Sequence, residues 1–235
     1  MELFEVMRTT FAAREFTDDR VPDEVLYDVV ENARFAPSGG NRQGNRVIVV
    51  RDEATRDALG KLAEPAAKRY AAQRAAGESP WNSVIPTQVS EETIAATEAP
   101  ATLVNTFRGA DVVLVFIVDL KVVASVDQYL DRVGVISGAS IYPFAWNVLL
   151  GIRQAGFGGT ITTLAVAREP DVQALLNIPQ HFAVAAVVPI GKPVKQLTKL
   201  KRRSVEEIAV HEHFDGIPFG RPTTSPSWGS RDLTP

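Results

Sequence analysis

Ala36-Pro37-Ser38-Gly39-Gly40-Asn41-Arg42-Gln43 lies between an amphipathic stretch and an apolar one. Before it, Val25, Leu26, Val29, Val30 and Ala33 recur at helical spacing behind Pro22, which predicts a helix from Asp23 to Phe35 with one face in a core. Pro37 excludes helical backbone from the residue before it and so ends that helix. After the stretch, Arg46 to Val50 reads as a short β-branched strand. The two glycines open backbone conformations closed to other residues. Ser38, Asn41 and Gln43 add donors and acceptors without fixed charge. This is a ligand loop, and its chemistry suits a polar heteroaromatic ring or a polyol.

Working outward, Leu3 to Thr9 predicts a first helix, and Glu53 to Ala75 a surface helix interrupted by Pro65 and ended by Gly77. Glu78 to Pro100 holds three prolines, Trp81 and weak periodicity, as expected of an excursion with short helical pieces. Val112 to Val118 is a continuous apolar run that fits a central strand covered on both faces. Val135 to Ala155 reads as one long, nearly all-round apolar helix, buried centrally or at a dimer interface. A glycine-rich turn then leads to Thr160-Ile161-Thr162-Thr163. A short helix follows Pro170, and Phe182 to Ile190 makes another buried strand before Gly191-Lys192-Pro193. Residues 1–213 are expected to form a single domain with an excursion at about 78–100. Phe214 to Pro235 lacks periodicity and reads as a tail or a partner-wrapping arm. No internal repeat is visible.

The 235 residues, 45% of them hydrophobic, suffice for a sizeable core. A net charge of −3 without a long basic run gives no support to a nucleic-acid or membrane partner, so any anion site must be a local cluster. With no cysteine, disulfides, thiolate metal sites and cysteine nucleophiles are excluded, and a cytoplasmic location is the default expectation. Met1-Glu2-Leu3-Phe4-Glu5 lacks a signal-peptide profile, and the run at Val112 is too short to span a bilayer. His211-Glu212-His213 has neither metal-ligand spacing nor a third ligand nearby, and Ser38 lacks a nucleophile elbow, which speaks against a metalloenzyme or a hydrolase.

Arg14-Glu15-Phe16-Thr17, then Val21-Pro22-Asp23-Glu24-Val25-Leu26, then the proline-serine loop, together resemble the N-terminal signature of the FMN-dependent nitroreductase family. The resemblance implies an α+β fold, a three-layer α/β/α sandwich with a mostly antiparallel central sheet, in an intertwined homodimer with two FMN sites at the interface. It implies that a basic cluster of Arg14 and Arg8, joined by Lys201 and Arg203 after the last core strand, holds the FMN phosphate. Pro37, Ser38, Gly39, Asn41 and Gln43 would touch the flavin ring and ribityl chain. The backbone amides of Gly158, Gly159 and Thr160 would lie against the flavin. The usual Arg-x-Ser-x-Arg-x-Phe run is replaced here by Thr10-Phe11-Ala12-Ala13-Arg14-Glu15-Phe16, so Thr10 and Ala12 stand where two ligands are expected, and Arg8 would compensate.

Taken alone, Lys201-Arg202-Arg203 also fits a solvated basic face, and Gly156-Phe157-Gly158-Gly159-Thr160 fits a helix C-cap with a tight turn. The latter is no dinucleotide fingerprint, because it follows a helix and has Ile161 where the last glycine belongs. Trp81, Phe107, Tyr129 and Tyr142 are aromatic residues for either core or pocket walls. Trp81, inside the proline-bounded excursion, and Tyr129 are taken as substrate-binding. The implied reaction is ping-pong reduction of a nitroaromatic, quinone or related electrophile, with NAD(P)H as donor, FMN as carrier and no side-chain acid or base. The altered phosphate motif leaves open a flavin-binding protein without turnover, or a flavoenzyme of the same fold that oxidises or fragments a metabolite.

Overall fold

β2 (Val112–Asp119) has an apolar side chain at every position before its last, and in the structure, a computed structural model, both of its faces are buried. Residues 1–221 are described. β2 pairs antiparallel with β1 (Asn45–Val50) on one side and with β4 (Phe182–Gly191) on the other. β3, the pair Gly158–Gly159, adds to the far edge of β4, so the sheet order is β1-β2-β4-β3 and every pairing is antiparallel.

Because side chains alternate across a strand, β2 feeds two cores. Val112, Leu114, Phe116 and Val118 pack with α2 (Asp23–Ala33) and α6 (Tyr142–Gln154). There Phe116 meets Phe144 edge-on with ring centroids 5.5 Å apart. Val113, Val115 and Ile117 face a second core built with Leu59 and Ala63 of α3 (Glu53–Ala75), Phe107 of α5 (Ala101–Gly109) and Val172 of α7 (Glu169–Leu176). The result is the expected three-layer sandwich. α1 (Leu3–Thr9) packs beside α6, and α4 (Glu91–Ala96) beside α3.

Arg51, just after β1, ties three elements together. It donates to Asp23 at the start of α2, to Asp111 before β2 and to the Val21 carbonyl. Burial works to lower the Arg51 pKa, but the hydrogen bonds to Asp23 and Asp111 outweigh it and leave the pKa raised.

Val135 to Ala155 is not a single helix: a 3-10 turn, Ile136–Ser140, precedes α6, and Ile141 sits between them at φ −134°, ψ −42°. Pro143 cannot donate a helical hydrogen bond, so it serves as a first-turn residue and restarts the helix. Nor is the helix buried all round. Tyr142, Trp146 and Leu150, spaced by four, form an incompletely buried stripe. α2 also ends two residues early, at Ala33, and α5 was not foreseen.

The chain divides into two compact units, Met1–Thr198 and Lys199–Pro235. The described part of the second is mostly irregular, with short turns and one isolated bridge between Val210 and Pro218. The part of the expected tail beyond residue 221 lies outside the described residues. Among the described residues, no helix is long and apolar enough to cross a membrane.

Candidate functional site

The N-terminal strap from Thr10 to Thr17 is held along the β3 edge by its backbone. Ala12 bridges Gly159, and the Ala13 N–H donates to the Gly159 carbonyl at 3.1 Å. Further on, Phe16 bridges Pro193, Thr17 N–H donates to Lys192 O at 2.8 Å, and Val194 N–H donates to Glu15 O at 3.1 Å. Arg14 is thus carried beside Gly158, Gly159 and Thr160, three of the residues expected to share its ligand. Its guanidinium is exposed, and among the described residues its one hydrogen bond is a 3.5 Å contact to its own Ala12 carbonyl. Arg8, exposed in the last turn of α1, makes no hydrogen bond or ion pair among the described residues.

Thr10 and Ala12, the two departures in the motif, differ in kind. Thr10 is buried, and its hydroxyl donates back to the Val6 carbonyl at 2.7 Å, closing α1. Ala12 is exposed. Two cations outside the sequence candidates lie near the strap: Arg153 Nε donates to Thr9 Oγ1, at the end of α1, at 3.0 Å, and Lys192, whose backbone carbonyl binds Thr17, has its ammonium 5.8 Å from the Phe157 ring. The visible signals for them were the last turn of α6 and the Gly-Lys-Pro turn after β4.

The glycine cluster has two jobs. Gly156, at φ +84°, lets the Phe157 N–H reach the Ile152 carbonyl and its own N–H reach Arg153 O, a Schellman cap on α6. Gly158 and Gly159 are buried strand residues whose missing side chains make room for neighbours. A Cβ on Gly158 would lie 2.6 Å from Pro193 Cγ, and one on Gly159 would lie 2.8 Å from the Pro189 carbonyl.

At the other end of β2 sits the proline-serine loop. Asp119 N–H donates to Gly44 O, Arg42 reaches the Val122 carbonyl, and Gly39 N–H donates to the Ser140 hydroxyl at 3.2 Å. Ser38 folds the loop: its hydroxyl accepts from Gln43 N–H at 2.9 Å and its carbonyl from Asn41 N–H at 2.8 Å. Gly40, Asn41 and Gln43 all have positive φ, at 61°, 53° and 50°. Two side-chain-bearing residues in left-handed conformation within an exposed loop are the kind of strain that persists when the surroundings hold it, and such strain clusters at ligand clamps. The Asn41 amide is exposed and unengaged among the described residues. Pro37 precedes the loop and is exposed.

Along β2 the loop and the strap stand about seven residues apart, roughly 23 Å at the usual strand rise. One chain therefore does not bring Pro37, Ser38, Gly39, Asn41 and Gln43 together with Arg14, Gly158, Gly159 and Thr160. Lys201 and Arg203 belong to the second unit and are exposed there.

Of the aromatic candidates, Phe107 is fully buried core, and Tyr142 donates its hydroxyl to Ala185 O at 3.1 Å. Tyr129 is 91% exposed in the turns after β2. Those turns are organised by Asp127, whose carboxylate accepts from Val135 N–H, Arg132, Ile136 N–H and Ser125. The Val135 amide above all, helped by Arg132, holds the Asp127 pKa down at about 2. Trp81 is half-exposed and packs against α3, not against the proline-serine loop.

A family model described as Nitroreductase family matches residues 7–192, from the end of α1 to the end of β4. The chain belongs to the nitroreductase family. Among curated relatives of this nitroreductase-family chain is iodotyrosine deiodinase of Nematostella vectensis, 26% identical over 212 residues that cover 89% of this chain and 74% of that protein. Among solved structures, oxidised iodotyrosine deiodinase bound to FMN and 3-iodo-L-tyrosine superposes with a TM-score of 0.65 at 19% identity, covering 91% of this chain and all of that one. NADPH:FMN oxidoreductase from Vibrio harveyi, complexed with NAD+, gives 0.65 at 17% identity, covering 92% of this chain and 79% of that one. At such identities the likeness establishes the fold.

Proposed function

We propose that this protein is an FMN-dependent oxidoreductase that takes electrons from NAD(P)H and reduces a small electrophilic acceptor, and that each FMN site is built from two copies of the chain. The observation that supports the reading is that the strap residues and the loop residues lie at opposite ends of β2. The strap end offers a free cation, Arg14, beside buried glycine backbone, and the loop end offers a strained, uncharged clamp. A ligand with a doubly charged phosphate and a polar ring system fits that donor set, because Arg forks suit phosphate oxygens and amides suit ring edges. In a symmetric pair, one chain's loop can reach the other chain's strap.

The incompletely buried stripe of Tyr142, Trp146 and Leu150, flanked by exposed Leu3, Phe4 and Met7 of α1, supports such a pairing. In this reading Arg14, with Arg8, takes the phosphate. Ser38, Gly39, Asn41 and Gln43 orient the ring and ribityl chain. When bound, FMN would supply two-electron hydride chemistry between a nicotinamide donor and the acceptor. Side chains are left to bind, orient and exclude water.

A second reading, reductive removal of halide from a halogenated aromatic, is favoured by the 26% identity to iodotyrosine deiodinase. The test is an anaerobic absorbance titration of FMN-reconstituted protein with NADPH and then NADH. Bleaching of the flavin band near 450 nm, roughly where oxidised flavins absorb, supports a nicotinamide-dependent reductase. Bound flavin that does not bleach with either nucleotide, but turns over iodotyrosine with a chemical reductant, favours the second reading. Failure to bind FMN overturns both.

A further inference from the structure

Away from the strap and the loop, α3 faces Trp81 and α4 across a groove of about 570 Å³, a volume within the range of small-molecule sites. Residues 61, 64–66, 68 and 69 of α3 line it, together with Ala167 and Arg168. The lining carries four cations, Lys61, Lys68, Arg69 and Arg168, against two carboxylates, Glu64 and Glu91. Each cation has an acidic neighbour, Asp57, Glu64, Glu91 and Asp171 respectively, but such surface pairs are weak and are readily redirected to a ligand anion.

Trp81 forms the opposite wall and is 48% exposed. Its backbone is at φ +55°, an outlier for so bulky a residue. The strain is held in place: Trp81 N–H donates to Oε1 of the buried Gln73 at 3.1 Å, and Arg69 stacks 5.3 Å from the ring while its Nη1 binds Glu91 at 2.9 Å. Nearby, Glu78 accepts from Thr87 and from Gln88 N–H, which fixes the excursion around the ring. A strained residue fixed so as to display an aromatic face over cations is a recognition surface.

We propose that this groove binds a planar aromatic carboxylate, with the ring against Trp81 and the carboxylate among Arg69, Lys68 and Arg168, at a site separate from the one holding FMN. The probe is 2-naphthoate, with neutral 2-naphthamide as control, measured by isothermal titration calorimetry on protein saturated with FMN and on protein without it. Expected are binding of naphthoate in both states and affinity at least about tenfold weaker for the amide, the effect of losing a charged contact. Weakening of similar size is expected in Trp81→Ala and in the Lys68→Gln/Arg168→Gln double variant, each checked for an unchanged urea midpoint. The double variant leaves Trp81 and its strain untouched, so it decides the matter if Trp81→Ala does not fold. Equal binding of acid and amide, undiminished binding in the folded variants, naphthoate that binds only when FMN is present, or no binding at all would each overturn the proposal. The outcome does not depend on whether the protein turns over NAD(P)H.

Discussion

Gly158→Ala adds one methyl group where the strap that carries Arg14 is pressed against β3. The new Cβ would sit 2.6 Å from Pro193 Cγ and 3.1 Å from Ala13 Cβ. The first of these is roughly 1 Å short of an ordinary carbon–carbon contact. Neither neighbour can swing away as a flexible side chain would. Pro193 is a ring in a bridge with Phe16, and the backbone N–H of Ala13 is bonded to Gly159. The backbone at Gly158 itself suits alanine, since it lies outside the left-handed region, so the penalty is one of overpacking, about 1–3 kcal/mol. For a chain of this size that is a fall in Tm of about 2–12 °C. Relief by shifting the strap would also move Arg14, so FMN affinity falls in the same variant. Urea unfolding of the FMN-free protein, followed by FMN titration, reads both effects. Full stability of the FMN-free variant together with lost FMN binding would refute the reasoning, because the glycine would then serve only the approach of a ligand.

Arg14→Ala is expected to raise the FMN dissociation constant by about tenfold or more, given roughly 1.5–3 kcal/mol for a charged hydrogen bond; fluorescence titration that finds it unchanged removes Arg14 from the site. Arg51→Gln is expected to lower stability by about 1.5–3 kcal/mol in urea unfolding, because it strips charged hydrogen bonds from Asp23 and Asp111 together; a change within error would show the cluster to be dispensable. Asp127 has its pKa lowered from 3.8 to about 2, so its stabilising contribution is complete above about pH 4 and is lost as the pH falls towards 2. In Asp127→Asn that part of the acid sensitivity should vanish, and thermal melts at pH 7 and pH 3 that drop as far as in the wild type would contradict it.

The layers of the fold were legible where pattern and packing agree. β2 reads as a buried strand because apolar residues fill both of its faces, and α3 carries the same bounds in sequence and structure because Asp52 caps it and Gly77 follows it. α5 was hidden by the excursion before it, although Pro100 ahead of Leu103 and Phe107 is a helix start in plain view. The break before α6 was also legible in principle, since Pro143 belongs in a first turn. What no one-dimensional pattern carries is the geometry of the site. The left-handed backbone at Asn41 and Gln43 depends on Ser38 and Ser140 closing the loop. The internal packing role of Gly158 depends on a strap more than a hundred residues away in sequence. The separation of strap from loop appears only once the register places Gly159 beside Ile190, Ile190 beside Val112, and Asn45 beside Val118.

That separation is tested most directly by a mixed dimer in which one chain carries Arg14→Ala and the other Ser38→Ala/Asn41→Ala, purified with two different tags and titrated with FMN. If each site draws its strap from one chain and its loop from the other, the mixed dimer has one intact site and one doubly defective site. It then binds one equivalent of FMN per dimer with wild-type affinity, while either parent variant alone binds weakly. Two weakened sites in the mixed dimer, with no site of wild-type affinity, would mean that each chain builds its own site.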